Sequence, residues 1–335
     1  MSTQLSSRRL GPYQVSAIGL GCMNLSHAYG TPPSEEDANR LLQEAFDLGI
    51  THFDSAALYG LGHNETLLGK NFLKKYRQQI TLISKGGVGP AEGKRVIDSR
   101  PESLRRDIEG SLKRLQTDVI DLYYLHRWDK KVPIEDAIGT LGDFVKEGKV
   151  RAIGMSEISA QTLRKGHATF PIAALQTEYS MWSRNPEIAL LQTCRELGIS
   201  FVAFSPLARG FFSQSLLAID QFLEKDIRRG MPRFQAENFE KNIPFYNALK
   251  EVAQKHQCSL PQLALAWVLH QGSDILVIPG TANLSHLREN VAADQIQLSA
   301  QSLKEIDEIL QSIPVIGNRY NAVSQSEVDT EQYLI

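Results

Sequence analysis

The fold is decided by the stretch Thr51-His-Phe-Asp-Ser-Ala-Ala-Leu-Tyr-Gly60, which is typical of a short strand that ends in polar residues. Asp54 and Tyr59 break the apolar pattern at that end. In a barrel of parallel strands, the carboxyl ends and the loops after them carry the catalytic residues. Two later strands are predicted to end at Lys85 and at His126. We therefore expect these four side chains to converge on one rim, although each alone would also fit a structural role.

Strands and helices alternate along most of the chain, which favours a parallel sheet. A turn at Gly11-Pro12 predicts an N-terminal β-hairpin within residues 8–22 that closes the bottom of a barrel. The predicted strands span residues 17–21, 50–56, 80–85, 118–125, 150–155, 172–178, 199–204 and 275–278. The predicted helices span residues 34–49, 64–75, 101–115, 134–147, 159–169, 186–197, 242–256 and 260–270. Eight strands predict an α/β fold of the (β/α)8 TIM-barrel type.

Composition narrows the class of protein. A chain of 335 residues fits one domain over residues 1–335, because a barrel of about 250 residues takes insertions. The net charge of -2 offers no attraction to nucleic acid or to an anionic membrane, so neither is an expected partner. The N-terminus lacks the apolar core of a signal peptide, and no stretch is apolar enough to span a membrane, so we expect a cytoplasmic protein. The spacing of Cys22, Cys194 and Cys258 suits neither a disulfide framework nor a metal site, and no metal is expected.

Two segments interrupt the alternation. Residues 208–240, after the seventh strand, carry Arg228, Arg229 and Arg233 among turn residues, and a loop of this length is commonly a lid. We predict that these arginines fold over a bound ligand, with a solvated surface loop as the alternative. The tail over residues 314–335 has weak periodicity and receives no predicted element.

Several ordered motifs resemble the aldo-keto reductases. Phe53-Asp-Ser-Ala-Ala-Leu-Tyr-Gly60, Ile83-Ser-Lys-Gly86 and Leu125-His-Arg-Trp128 are similar to the catalytic segments of that family. The resemblance continues to Ile278-Pro-Gly-Thr281-Ala-Asn-Leu-Ser-His-Leu-Arg-Glu-Asn290 and covers nearly the whole chain. Gly154-Met-Ser-Glu-Ile-Ser159 and Ser205-Pro-Leu-Ala-Arg-Gly210 resemble in particular the branch that includes perakine reductase.

The resemblance implies reversible reduction of an aldehyde or ketone to an alcohol. No side chain can supply a hydride, so a nicotinamide must, and the protein must supply a proton. The resemblance gives Tyr59 as proton donor, Lys85 as the charge that tunes it, Asp54 as the partner of Lys85 and His126 as a hydrogen-bond donor to the carbonyl oxygen. The chemistry of the residues agrees, because a nearby ammonium stabilises a phenolate.

The resemblance also assigns the cofactor site. It gives Ser156, Glu157 and Gln176 to the carboxamide and Phe204 to the nicotinamide ring. Glu157 stands where much of the superfamily has Asn, and a carboxylate cannot donate to the carboxamide oxygen. The segment of Ser205, Pro206, Leu207, Arg209 and Gly210 is implied to hold the pyrophosphate, and the segment of Gly280, Thr281, Asn283, His286, Glu289 and Asn290 the adenosine end. His286 stands where a helix arginine is frequent, so we expect NADPH to be preferred over NADH by a modest factor.

The sequence offers four candidate residues for the substrate pocket. Met23, Tyr29, Trp128 and Trp182 are candidate pocket residues, and the tail is implied to wall the pocket. A small carbonyl compound, apolar or aromatic, is the expected partner. One alternative is a regulatory subunit that binds the cofactor with little turnover. A metal-dependent hydrolase on the same barrel is disfavoured, because ligand clusters with metal spacing are absent from the sequence.

Overall fold

The computed structural model describes residues 5–91, 94–214 and 217–333. The strands are β1 (Ser7–Leu10), β2 (Tyr13–Ser16), β3 (Leu20–Gly21), β4 (His52–Asp54), β5 (Thr81–Gly86), β6 (Val88–Ala91), β7 (Lys94–Ile97), β8 (Ile120–Leu125), β9 (Val150–Ser156), β10 (Ile172–Glu178), β11 (Ser200–Phe204) and β12 (Ile275–Val277). The helices are α1 (Glu35–Asp47), α2 (His63–Leu67), α3 (Leu73–Tyr76), α4 (Pro101–Leu115), α5 (Ile134–Lys146), α6 (Ala160–Thr169), α7 (Leu190–Leu197), α8 (Ala236–Lys255), α9 (Leu260–His270), α10 (Leu284–Ala292), α11 (Ala300–Ser312) and α12 (Ala322–Ser326).

Eight strands form one parallel sheet in the order β3, β4, β5, β8, β9, β10, β11, β12. The two edges of this sheet meet. Ile18 bridges to Val277 in parallel, and the backbone N–H of Gly19 donates to the Val277 carbonyl at 2.8 Å. The predicted (β/α)8 barrel is therefore confirmed. No helix in the described part of the chain combines the length and apolarity needed to cross a bilayer.

The N-terminal hairpin of β1 and β2 closes the bottom of the barrel, as predicted. Leu10 and Val15 of the hairpin are buried in one cluster with inward residues of the barrel strands, including Ile83, Leu122 and Val202. The turn between β1 and β2 needs its glycine. Gly11 has a φ of +57°, and a Cβ at this position would lie 2.6 Å from the Ala173 Cβ.

The helices cover the outside of the barrel because each has one apolar face. In α1 the buried residues are Ala38, Leu41, Leu42 and Ala45, a helical spacing. The Ser34 hydroxyl caps this helix by accepting a hydrogen bond from the Asp37 N–H at 3.1 Å. Burying each leucine contributes about 1.5–3 kcal/mol, so packing rather than propensity holds the helix in place.

Three segments depart from the prediction. A second hairpin, β6 and β7, stands between β5 and α4 and was not predicted. Helix α8 begins at Ala236 rather than at residue 242, so the long loop after β11 is shorter than expected and holds short 3-10 turns. The tail includes one short helix, α12, where no element was predicted.

Candidate active site

A cavity of about 1220 Å³ opens at the carboxyl ends of the barrel strands. Most of the residues predicted for the active site lie on the wall of this cavity. They are Asp54, Tyr59 and His126 of the catalytic set, Ser156, Gln176, Phe204, Ser205, Pro206, Leu207, Arg209, Gly210, Gly280, Thr281, Asn283, His286, Glu289 and Asn290 of the cofactor set, and Met23 and Tyr29 of the substrate set. The tail also lines the cavity through Tyr320 and Val328.

Lys85 connects the predicted catalytic residues. Its side chain is fully buried at the end of β5, and its ammonium forms an ion pair with Asp54 at the end of β4. Nζ also donates to the Ser55 carbonyl at 2.8 Å and to the Tyr59 hydroxyl at 3.3 Å. Adjacent parallel strands place these groups together, because β4 and β5 pair in register with Asp54 opposite Ile83. The predicted cluster is thus assembled on one rim.

The charges of this cluster are set by burial and by the ion pair. Burial alone would lower the pKa of Lys85, but Asp54 and Tyr59 together outweigh it and raise that pKa above its ordinary value. Burial raises the pKa of Tyr59, and the Lys85 charge opposes only part of this effect. Tyr59 is therefore a protonated phenol at neutral pH, with a fixed ammonium beside its oxygen.

His126 completes the cluster from the end of β8. Its ring meets the Tyr59 ring edge-on, with 5.8 Å between the centroids. Burial, aided by the charges of Arg127 and Lys85, lowers the pKa of His126 well below its ordinary value, so the imidazole is neutral. Nδ1 is buried and has no hydrogen-bond partner among the described residues. With its proton on Nε2, the neutral imidazole can donate a hydrogen bond to a ligand.

Two predicted carboxamide partners lie beside the catalytic cluster. The Gln176 amide donates to the second Asp54 oxygen at 2.8 Å, so it also holds that carboxylate. The Ser156 hydroxyl, at the end of β9, accepts from Arg127 Nη1 at 3.1 Å. Both side chains line the cavity and can still bond a ligand amide.

Glu157 does not take the predicted position. Its backbone has a φ of +56°, and its carboxylate turns away from the cavity. It accepts from the Glu178 N–H at 2.9 Å and forms a buried ion pair with Arg319 of the tail. The guanidinium and the backbone donor satisfy this carboxylate, so the prediction of a carboxamide contact is wrong for Glu157.

The two predicted pocket tryptophans also lie elsewhere. Trp182 stacks on Phe211 with 4.0 Å between the ring centroids, in an aromatic cluster behind the cavity wall. The Trp128 indole donates to the Val132 carbonyl at 2.7 Å and does not line the cavity. Sequence reasoning instead missed His27 and Arg127, which do line it. Arg127 is the neighbour of His126 in the chain, and that adjacency was the available signal.

The predicted pyrophosphate segment forms a tight turn after β11. Ser205, Ala208 and Arg209 all have positive φ values, so the backbone curls towards the cavity. The Arg209 guanidinium is paired with the buried Glu178 carboxylate and donates to the Tyr320 hydroxyl at 2.9 Å. A phosphate bound here would meet a guanidinium that already has a carboxylate partner.

Of Arg228, Arg229 and Arg233, Arg228 alone lines the cavity. Its guanidinium is paired with Asp226 and lies 4.9 Å from the centre of the Tyr29 ring. Arg233 is turned into the protein, where it donates to the Trp182 carbonyl at 2.7 Å. Arg229 is exposed and donates to the Phe222 carbonyl. The prediction that all three fold over a ligand is therefore wrong for Arg229 and Arg233.

The far end of the cavity fits an adenosine. The Asn283 side chain caps α10 by accepting from the N–H groups of Ser285 and His286. This capping occupies two helix N–H groups that could otherwise bind an anion. Asn290 Oδ1 is buried without a hydrogen-bond partner among the described residues, and it lies on the cavity wall. An amino group of a ligand base would satisfy this acceptor, so the residues present fit a nicotinamide dinucleotide.

Comparison with known proteins agrees with this geometry. Residues 17–311 match the Aldo/keto reductase family. The chain is 43% identical over 322 residues to the probable aldo-keto reductase 1 of Glycine max, which covers 95% of this chain and 92% of that protein. The glycerol dehydrogenase of Gluconobacter oxydans superposes with a TM-score of 0.83 at 27% identity, over 94% of this chain and 98% of that one.

A solved aldo/keto reductase from Klebsiella pneumoniae, in complex with NADP and acetate, has a TM-score of 0.71 and 26% identity over 95% of this chain and 99% of that one. The family match, the relatives and the superposed structures indicate the same family. The chain belongs to the aldo/keto reductase family and is an NAD(P)H-dependent oxidoreductase that acts on carbonyl compounds.

Proposed function

We propose that this enzyme reduces an aldehyde or ketone to an alcohol with NADPH, reversibly, and that Tyr59 supplies the proton. The observation that carries the proposal is the chain of contacts from Asp54 through Lys85 Nζ to the Tyr59 hydroxyl, which lies at the cavity wall. A buried ammonium 3.3 Å from a phenol oxygen is an arrangement that stabilises a phenolate as the proton leaves.

Each protein group has a separate role in the step. Bound in this cavity, the reduced nicotinamide supplies a hydride to the carbonyl carbon. Tyr59 gives its phenol proton to the carbonyl oxygen, and Lys85 stabilises the phenolate that remains. His126 Nε2 donates a hydrogen bond to the same oxygen and orients it. In the oxidation direction, the Tyr59 phenolate takes the proton of the alcohol.

The test is Tyr59→Phe, which keeps the aromatic ring and removes the hydroxyl group that supplies the proton. We expect kcat for reduction of 4-nitrobenzaldehyde to fall by about 100-fold or more, because a general acid is lost. NADPH affinity, measured by fluorescence titration, should change little. Tyr13→Phe, at the bottom of the barrel, is the matched control and should keep its turnover. Normal turnover by Tyr59→Phe would remove Tyr59 from this role.

The same assay separates the alternative function. A regulatory subunit would bind NADPH but turn over no aldehyde, whether or not Tyr59 is present. The complete cluster of Asp54, Tyr59, Lys85 and His126 favours the enzyme. We further propose that the chain acts as one domain and belongs to the perakine reductase-type branch, on the motifs at residues 154–159 and 205–210.

We propose NADPH over NADH because His286 and Asn283 line the adenosine end of the cavity, where a 2′-phosphate would need donors. Two features weaken the preference. The Asn283 side-chain oxygen occupies the N–H groups of Ser285 and His286, which are then not free for a phosphate, and Glu289 places a carboxylate on the same wall. We expect NADPH to be preferred by about 10- to 100-fold in kcat/KM, or about 1.4 to 2.7 kcal/mol.

His286→Arg should raise this preference and His286→Ala should lower it, when kcat/KM is measured with both cofactors. A preference for NADH in the wild type would overturn the assignment.

A further inference from the structure

Four arginines line the cavity in the described part of the chain: Arg95, Arg127, Arg209 and Arg228. Three of them already have a carboxylate partner. Arg95 is paired with Glu327, Arg209 with Glu178 and Arg228 with Asp226. Arg127 forms no ion pair with any residue that the structure describes.

Arg127 is nevertheless held in a defined position. Its Nη1 donates to the His126 carbonyl at 2.7 Å and to the Ser156 hydroxyl at 3.1 Å. Nε and Nη2 make no hydrogen bond with residues 5–91, 94–214 or 217–333. The guanidinium is half-buried and close enough to Tyr59 and His126 for its charge to act on both. One edge of the guanidinium is thus fixed to the protein, and the other edge is available to a ligand.

The charged groups near Arg127 are already paired with one another and do not neutralise its guanidinium. In the same site, the Lys85 ammonium is neutralised by Asp54. At the rim, Arg95 is neutralised by Glu327. Burying an unpaired charge is unfavourable, and a guanidinium with two adjacent free N–H groups matches an oxyanion bidentately.

We propose that the natural substrate is a carbonyl compound that carries an anionic group, a carboxylate or a phosphate, and that Arg127 binds this group. The proposal rests on the proposed function, since it places the anion in the same cavity as the Tyr59 hydroxyl. Arg127 determines substrate specificity, because its contact with the anion lowers KM for anionic substrates. The proton transfer is carried out by Tyr59. An apolar or aromatic body remains compatible with the Met23 and Tyr29 side of the cavity.

The experiment compares substrates that differ in charge alone. The carboxylate arm uses 2-carboxybenzaldehyde and 4-carboxybenzaldehyde, each against its methyl ester. The phosphate arm uses pyridoxal 5′-phosphate against pyridoxal. We expect the wild type to favour the anion in at least one arm by about 10- to 100-fold in kcat/KM, the range of one bidentate charge-assisted contact. The preferred arm identifies the anion.

Variants then assign the preference to Arg127. Arg127→Gln should abolish the preference, mainly through a rise in KM for the anion, so that kcat/KM for the anionic and the neutral partner becomes equal within about threefold. Arg127→Lys should keep part of it. The matched control is Arg95→Gln, an arginine of the same cavity that Glu327 already neutralises, and it should leave the anion preference in place.

Three outcomes would overturn the proposal. One is a wild type that reduces neutral and anionic partners equally well in both arms. Another is an equal loss of preference in Arg127→Gln and Arg95→Gln, which would mean a diffuse field rather than a contact. The third is a rise in KM for NADPH in Arg127→Gln with the anion preference unchanged, which would assign Arg127 to the cofactor. Absence of turnover with every aldehyde would contradict the proposed function instead.

Discussion

Lys85 is fully buried, yet it keeps its charge because Asp54 and Tyr59 surround its ammonium. Each group depends on the others. Without Lys85, the Asp54 carboxylate would keep, among the described residues, only the Gln176 amide as a side-chain partner, and the Tyr59 phenol would lose the charge that opposes its burial. A single side chain therefore supports both the chemistry and the stability of the site.

Lys85→Met should separate these two contributions. We expect kcat for reduction to fall about 100-fold or more, and the free energy of unfolding to fall by roughly 3–5 kcal/mol because a buried carboxylate is left unpaired. Loss of the ammonium raises the pKa of Tyr59 further, so the pH profile of alcohol oxidation, which needs the phenolate, should shift to higher pH. The double variant Lys85→Met/Asp54→Asn should regain much of the stability, measured by urea unfolding, but none of the rate. An unshifted profile would contradict the coupling.

Single residues also show where prediction from sequence ends. The catalytic cluster was predictable because polar residues interrupt apolar strands at their carboxyl ends, a local signal. The position of Glu157 was not predictable, because its partner Arg319 lies 162 residues away in the chain. Trp182 was misplaced for the same reason: its stacking partner Phe211 belongs to another loop, and aromatic residues at strand ends can face either way.

At the scale of elements, helix α4 was predicted with both ends because Pro101 starts it and its apolar spacing continues to Leu115. The hairpin of β6 and β7 was not predicted, since Gly89 and Pro90 within β6 argue against a strand. The tail was missed because its order comes from contacts with the barrel rather than from periodicity. These contacts include the ion pairs of Arg319 with Glu157 and of Glu327 with Arg95.

The two ion pairs of the tail should differ in strength. Arg319 and Glu157 are 7% and 0% exposed, whereas Arg95 and Glu327 are 40% and 27% exposed. Breaking a buried pair costs about 3–5 kcal/mol, and an exposed pair is worth about 0–1 kcal/mol. Arg319→Met should therefore speed amide hydrogen exchange over residues 314–333, while the barrel strands keep their protection. Arg95→Gln is the control and should leave the tail protected. Equal protection in both variants would mean that other contacts hold the tail.

The whole molecule is organised around a barrel interior that is apolar at the bottom and polar at the top. His52 and Asp54 point inward from β4, because Phe53 between them packs outward against Phe72. Asp54 reaches the cavity, but His52 lies one layer lower, fully buried, against the backbone of Gly19. Neither ring nitrogen of His52 has a hydrogen-bond partner among the described residues. This histidine is therefore a neutral part of the packed interior.

Burial lowers the pKa of His52 to about 3, from about 6.5 in an unfolded chain. Below pH 6.5 the unfolded chain binds a proton at His52 that the folded protein does not bind until about pH 3, so stability falls as the pH drops through this window. At pH 5 the loss is roughly 2 kcal/mol from this one group. His52→Leu should remove it, so the stability difference between pH 7 and pH 5, measured by equilibrium urea unfolding, should shrink by that amount relative to the wild type. His256→Leu, at the end of α8, controls for the loss of one histidine and should keep the wild-type difference. The same pH dependence in His52→Leu and in the wild type would show that the acid sensitivity of the barrel arises elsewhere.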